Sequence, residues 1–108
     1  MLAKKFRLNI AEFIKKRPTF VKKGPFFAVK TIPNELSYSR FGIVISKKID
    51  KRAVGRNKLR RFFNENIRER KLPATPGYDV LIVIYPEIKQ FSQEDVKKYL
   101  QEYSFLGN

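Results

Sequence analysis

Ser46-Lys-Lys-Ile-Asp-Lys-Arg-Ala-Val-Gly-Arg-Asn-Lys-Leu-Arg-Arg-Phe-Phe63 is the stretch on which the reading of the whole chain turns. It holds Lys47, Lys48, Lys51, Arg52, Arg56, Lys58, Arg60 and Arg61, a third of the chain's 24 basic residues, against one acid, Asp50. Such a run is a polyanion-binding element. The residues after Asp50 also read as a helix. Asp50 is a good N-cap, and Leu59, Phe62, Phe63 and Ile67 recur at the i, i+3, i+4, i+8 spacing of one buried stripe. On the same wheel Asn57, Arg61, Asn64 and Arg68 fall on the opposite face, flanked by Lys58 and Arg60. One helix is therefore expected to carry both a core face and a cationic face. Residues 51–61 contain no acid, so this face has no neighbouring carboxylates to neutralise it.

A chain of 108 residues makes one domain, here residues 1–108, with an apolar share of 43% that suits a folded globule. A formal net charge of +14 self-repels in isolation, which makes a polyanionic partner the default expectation. Nucleic acid fits better than a membrane, because no stretch approaches the roughly 20 apolar residues needed to span a bilayer. The chain has no cysteine, which excludes disulfides and thiolate chemistry. It also has no histidine, so triads, zinc sites and histidine-based ribonuclease chemistry are excluded. The ten acids are scattered, and the one adjacent pair, Glu94-Asp95, is explained by a helix start. No metal site and no small-molecule cofactor is expected on the protein. Met1-Leu-Ala-Lys-Lys lacks the apolar core of a secretory signal, so a cytoplasmic location is expected.

From the N-terminus, Asn9–Arg17 reads as a short helix capped by Asn9, with Glu12 at N3, an Ile10, Phe13, Ile14 stripe, and Pro18 as its stop. A second basic cluster surrounds it: Lys4, Lys5, Arg7, Lys15, Lys16, Arg17, Lys22 and Lys23. Phe26–Ile32 reads as a strand after the Gly24-Pro25 turn, with a shorter strand near Phe20-Val21. Alternation then puts Phe27 and Val29 in the core and Phe26, Ala28 and Lys30 on an open face. Ser39–Ser46 is the next strand, with Phe41, Ile43 and Ile45 inward and Arg40, Gly42, Val44 and Ser46 on the same open face. Val80–Ile84 is continuously apolar, the pattern of an interior strand. Strand, helix, strand in this order implies a parallel βαβ crossover, for which physics alone favours the right hand. Ser92 opens a last helix whose Val96, Tyr99, Leu100 and Tyr103 line one face, with Phe91 and Val96 at the positions of a hydrophobic staple.

Ser46-Lys47-Lys48-Ile49, Ala53-Val54 and Arg56-Asn57-Lys58-Leu59-Arg60-Arg61, with Arg7-Leu8, Glu12-Phe13, Arg40-Phe41-Gly42-Ile43 and Tyr78-Asp79-Val80-Leu81-Ile82, resemble the bacterial ribonuclease P protein subunit over nearly the whole chain. Two departures stand out: the third motif position is Lys58 rather than arginine, and the segment from Ile49 to Arg56 is a residue longer than in many members. Lys58 keeps the charge but loses bidentate geometry. The resemblance implies an α+β single domain, α-β-β-(β)-α-β-α, of the ribosomal protein S5 domain 2-like fold, with a left-handed crossover. It implies a subunit that assists endonucleolytic removal of the 5′ leader from precursor tRNA, with an RNA subunit as catalyst and Mg2+ held mainly by that RNA. Lys47, Lys48, Arg52, Arg56, Asn57, Lys58, Arg60, Arg61 and Arg68 would bind the RNA subunit. Phe13, Lys16, Arg17, Phe26, Ala28, Lys30, Val44 and Ser46 would form the leader cleft, although Lys30 stands where an aromatic is common. A ribosomal or other structural RNA-binding protein is the alternative that composition leaves open; a self-sufficient nuclease is disfavoured by the missing histidines.

Overall fold

Strand β4 (Tyr78–Ile84) carries apolar residues on both faces, and all but Tyr78 and Val83 are buried. In the computed structural model, which describes residues 2–103, it lies inside a four-stranded sheet of order β1-β2-β4-β3. β1 (Phe20–Lys23) and β2 (Phe27–Pro33) are an antiparallel hairpin closed at Gly24, whose N–H donates to the Phe27 carbonyl at 2.7 Å. β2 runs antiparallel to β4, and β3 (Arg40–Val44) parallel to it. The parallel pair is joined by helix α2 (Ala53–Glu69), so the expected βαβ crossover is present. With α1 (Ile10–Ile14) before β1 and α3 (Gln93–Glu102) after β4, the α+β order matches the sequence reading, and the optional strand is β1.

The register assigns the faces. Phe27, Val29 and Thr31 stand opposite Ile84, Ile82 and Val80, and Phe41 and Ile43 pair with Val80 and Ile82. This face is buried against Phe63 and Ile67 of α2 and Val96, Leu100 and Tyr103 at α3. Each fully buried Phe or Ile here contributes on the order of 1.5–3 kcal/mol. The second face carries Val21 and Lys23 of β1, Ala28 and Lys30 of β2, Leu81 and Val83 of β4, and Gly42 and Val44 of β3. Phe13, Ala28 and Leu81 are buried but lie outside the main core cluster, and α1 packs against β4 on this side.

The N-terminal segment crosses the outer edge of β3. Arg7 bridges Phe41 in parallel fashion, and the Leu8 N–H donates to the Phe41 carbonyl at 3.0 Å. Gly42 permits this approach: a Cβ there would sit 3.0 Å from Cγ1 of Ile10 and 3.1 Å from Cβ of Leu8. The part of the second face expected to lie open at Gly42 is thus covered. Among the described residues the other edge of the sheet, along β1, is unpaired, and Phe20 and Val21 are exposed there.

Four expectations need correction. Helix α1 stops at Ile14 rather than Arg17. Asn9 does cap it, accepting from Glu12 N–H at 3.1 Å, but Phe13 is its only buried residue and Pro18 denies helical geometry to Arg17, so nothing propagates the helix. Ser39 and Ser46 flank β3 instead of belonging to it; the buried Ser39 hydroxyl donates to the Thr75 carbonyl at 2.6 Å and fixes the loop before β4. Phe26 precedes β2, where alternation no longer applies, and its ring is 1% exposed, among Phe27, Phe91 and Tyr99 at 5.0–5.2 Å. It is a core residue and leaves the open face. Asp50 is not the N-cap of α2, a position taken by Arg52. The turn over residues 46–50, pinned by buried Ile49, sets Asp50 two residues earlier, where its carboxylate accepts the Arg52 N–H at 2.9 Å. The same carboxylate lies against Gly55, where a Cβ would have no room.

Candidate nucleic-acid interface

Two surfaces carry the residues singled out in the sequence. The first is the outward side of α2 with the turn before it. Lys47 and Lys48 are exposed in that turn, and Arg52, Asn57, Lys58, Arg61 and Arg68 are exposed on the helix or at its cap. Arg56 and Arg60 flank the buried stripe and are half-buried. Arg56 donates through Nη1 to the carbonyls of Asp50 at 3.0 Å and Lys51 at 2.9 Å, which ties the turn to the helix. Arg60 donates through Nη1 to Oδ1 of Asn57 at 2.9 Å, so the uncharged member of the motif orients one of its cations.

These residues do not form one patch. Arg68 lies twelve residues beyond Arg56, roughly 18 Å along the axis at 1.5 Å per residue. It is ion-paired with Glu65 at 2.6 Å, which raises the guanidinium and holds the Glu65 carboxyl below its usual range. Glu65, Glu69 and Glu94 line the groove between α2 and α3, so the far half of α2 is electrostatically mixed. The cationic half is residues 47–61, where the single acid, Asp50, is engaged by Arg52 at 3.1 Å and lowered by its hydrogen bonds.

The second surface is the second face of the sheet. Ala28, Lys30 and Val44 share it, as expected, and Lys16 and Arg17 are exposed in the link from α1 to β1. Ser46 is exposed beyond the end of β3, at the start of the turn that leads to α2. Phe13 is 3% exposed, so its ring has no free face for a stacked base; it holds α1 on the sheet. Val21, Lys23 and Val83 join this face through the strand register and were not foreseen. Pairing across the Gly24-Pro25 turn would have found Lys23, which stands opposite Ala28.

At one end of this face Arg40 grips the buried Asp79 with two hydrogen bonds, at 2.8 Å from Nε and 2.7 Å from Nη2. Asn34 adds a third from Nδ2 at 2.9 Å. Burial alone would raise the Asp79 carboxyl, but these bonds and the charges of Arg40 and Lys16 outweigh it and hold the group below the ordinary carboxylate range. The acid on this face is therefore neutralised in place. Around the β3 edge the two surfaces meet, where Arg60 and Asn64 of α2 face Leu8, Ile10 and Gly42 across a cavity of about 160 Å³.

Among the described residues, no group of three or more acids, histidines or cysteines could hold a metal ion, and no helix is long and apolar enough to cross a membrane. The family model described as ribonuclease P matches residues 6–104. The chain is 34% identical over 79 residues to the ribonuclease P protein component of Aliivibrio fischeri, covering 73% of this chain and 67% of that protein. It is 40% identical over 67 residues to the same component of Aromatoleum aromaticum, covering 62% of this chain and 56% of the relative. The matched part thus spans between about half and two thirds of these relatives' own lengths. The fold is similar to the RNase P protein of Staphylococcus aureus, with a TM-score of 0.74, 28% identity and 89% of each chain covered. It is also similar to the RNase P protein of Thermotoga maritima, with a TM-score of 0.69, 26% identity, and 91% of this chain and 97% of that chain covered.

Proposed function

The chain belongs to the ribonuclease P protein family, the protein subunit of that ribonucleoprotein endoribonuclease, and from that premise we propose how its two surfaces divide the work of tRNA 5′ maturation. The cationic half of α2 and the turn before it dock on the RNA subunit. The second sheet face, with the link carrying Lys16 and Arg17, holds the unpaired 5′ leader of precursor tRNA.

One observation carries this reading: the two surfaces lie on opposite sides of one sheet. α2 packs its apolar stripe on the core face and turns its cations outward, whereas Lys23 and Lys30 point from the other face. Two RNA segments can then be held at once without competing for the same cations. Docking draws on forked hydrogen bonds from Arg60 and Arg61 to phosphates. Leader holding draws on Lys16, Arg17, Lys23 and Lys30 over the small and β-branched Ala28, Val44 and Val83, a shallow floor that accepts any base sequence.

The RNA subunit would supply hydrolysis, with magnesium held mainly by its own phosphates. The described residues do not fit a magnesium site, so no step passes through a metal on the protein. The protein's own part is to bind both RNAs and fix the leader relative to the ribozyme, which lowers the magnesium needed for cleavage.

The test is precursor-tRNA processing at low magnesium with purified RNA subunit. Arg60→Ala with Arg61→Ala is expected to weaken RNA-subunit binding whatever the substrate, and excess protein should restore cleavage. Lys23→Ala with Lys30→Ala is expected to leave that binding intact and to weaken capture of a long-leader substrate more than one with a single-nucleotide leader. Equal losses on both substrates would refute the division.

A further inference from the structure

Beside the first turns of α2, the segment entering α3 closes a pocket of about 390 Å³, the size of a small-ligand site. Its floor is Phe62, Ile88 and Phe91, and its rim is Arg52, Lys58 and Lys89. Phe91 stands out, because 38% of it is exposed although its ring is 5.1 Å from that of buried Phe26. Asp50 is the only acid lining the pocket, and Arg52 engages it. Neither Lys58 nor Lys89 forms a salt bridge among the described residues, although the charge of Lys89 reaches Asp50 and helps to lower its carboxyl.

An apolar floor under a cationic rim asks for a ligand that is flat and apolar in one part and anionic in another. Free phosphate would leave the floor wet, and an apolar peptide would leave the rim unpaired. A nucleotide satisfies both. Arg52 and Lys58 also belong to the α2 docking surface, so the pocket is continuous with it. We propose that this pocket receives one unpaired nucleotide of the RNA subunit, its base on the Phe62 and Phe91 floor and its phosphate at Lys58 and Lys89. The proposal rests on the α2 docking reading above and deepens it, adding a stacked base to a contact otherwise made of charge.

The experiment measures binding of the full chain to the RNA subunit without substrate, with melting curves for every variant. Phe91→Leu keeps an apolar contact on Phe26 but removes the ring; it is expected to weaken binding about fivefold or more with an unchanged salt slope. Lys89→Gln is expected to weaken binding and make the slope of log affinity against log salt shallower by about 0.7–0.9. If both variants bind like the wild type while Arg60→Ala with Arg61→Ala binds weakly, the pocket is wrong and the docking surface stands. If the wild type itself fails to bind the RNA subunit, the docking reading fails and takes the pocket with it. Should Phe91→Leu melt early, the wild-type complex decides, using RNA subunit carrying photoreactive analogues of each base in turn. A cross-link to the peptide containing Phe91 is expected, and cross-links confined to other parts of the chain overturn the proposal.

Discussion

Arg56 opens the Arg56-Asn57-Lys58 motif, yet its guanidinium is spent on the backbone carbonyls of Asp50 and Lys51. Replacing it with alanine separates positioning from contact. Two charge-assisted hydrogen bonds at a half-buried site are worth together about 1–2 kcal/mol once water can reach the freed carbonyls. For a domain of this size that lowers Tm by roughly 5–15 °C. Arg61 is exposed and makes no hydrogen bond among the described residues, so Arg61→Ala should stay within about 0.5 kcal/mol of the wild type. RNA binding should divide the other way. Arg61→Ala removes a phosphate contact and should lower the salt slope by about 0.7–0.9, whereas Arg56→Ala should weaken binding with a smaller change in slope, because it loosens the turn that presents Lys47 and Lys48. The assays are thermal melts and RNA-subunit titrations at several salt concentrations. If Arg56→Ala melts like the wild type and loses as much slope as Arg61→Ala, Arg56 is a direct phosphate contact and this account of it is wrong.

Three further outcomes are expected. Phe13→Ala should cost about 3–5 kcal/mol in denaturant melts, as for a core phenylalanine, because its buried ring is what holds α1 on the sheet; a folded variant of unchanged stability would return Phe13 to the leader cleft. Asp79, whose carboxyl is depressed in the fold, contributes stability that is present above its ordinary pKa of about 3.9 and is lost as pH falls through the lower folded value. Asp79→Asn should therefore cost about 2 kcal/mol at neutral pH, with the gap to the wild type closing only below about pH 4; a gap independent of pH down to 2 would point to packing instead. Gly42→Ala should destabilise despite the usual strand preference for alanine over glycine, since the added Cβ meets Leu8 and Ile10, and exchange of the Leu8 amide, measured by NMR, should accelerate.

What the sequence made legible was local and periodic. The Leu59, Phe62, Phe63, Ile67 stripe, the two-sided apolarity of Val80–Ile84, and the caps at Asn9 and Ser92 each rest on a repeat or a hydrogen bond within one element, and each is present. What escaped depends on neighbours distant in sequence. Phe26 lies one residue before its strand, so its direction is set by Phe91 and Tyr99 rather than by alternation. Asp50 looked like a cap because the turn between it and the helix has no periodicity of its own. Lys23 and Val83 entered the second face only through strand register, and the cover over Gly42 through a segment more than thirty residues earlier in the chain. Of the cationic residues named on α2, the sequence ranked all alike; the fold separates Arg56, bound to backbone, and Arg68, bound to Glu65, from Arg61 and Lys58, which face solvent.

The unpaired edge of β1 bears on how this protein behaves in a test tube. Phe20 and Val21 are exposed beside a row of backbone groups that another strand could pair with, the arrangement from which edge-to-edge aggregates grow. Lys22 and Lys23 on that strand, and a net charge of +14 overall, keep two copies apart. That protection is electrostatic and has a range of about 8 Å at physiological ionic strength, shrinking to about 3 Å in molar salt. Concentrated salt, a common means of stripping RNA from a basic protein, therefore removes the guard from an edge that is already open, and colloidal stability should be poorest in the preparation that looks cleanest.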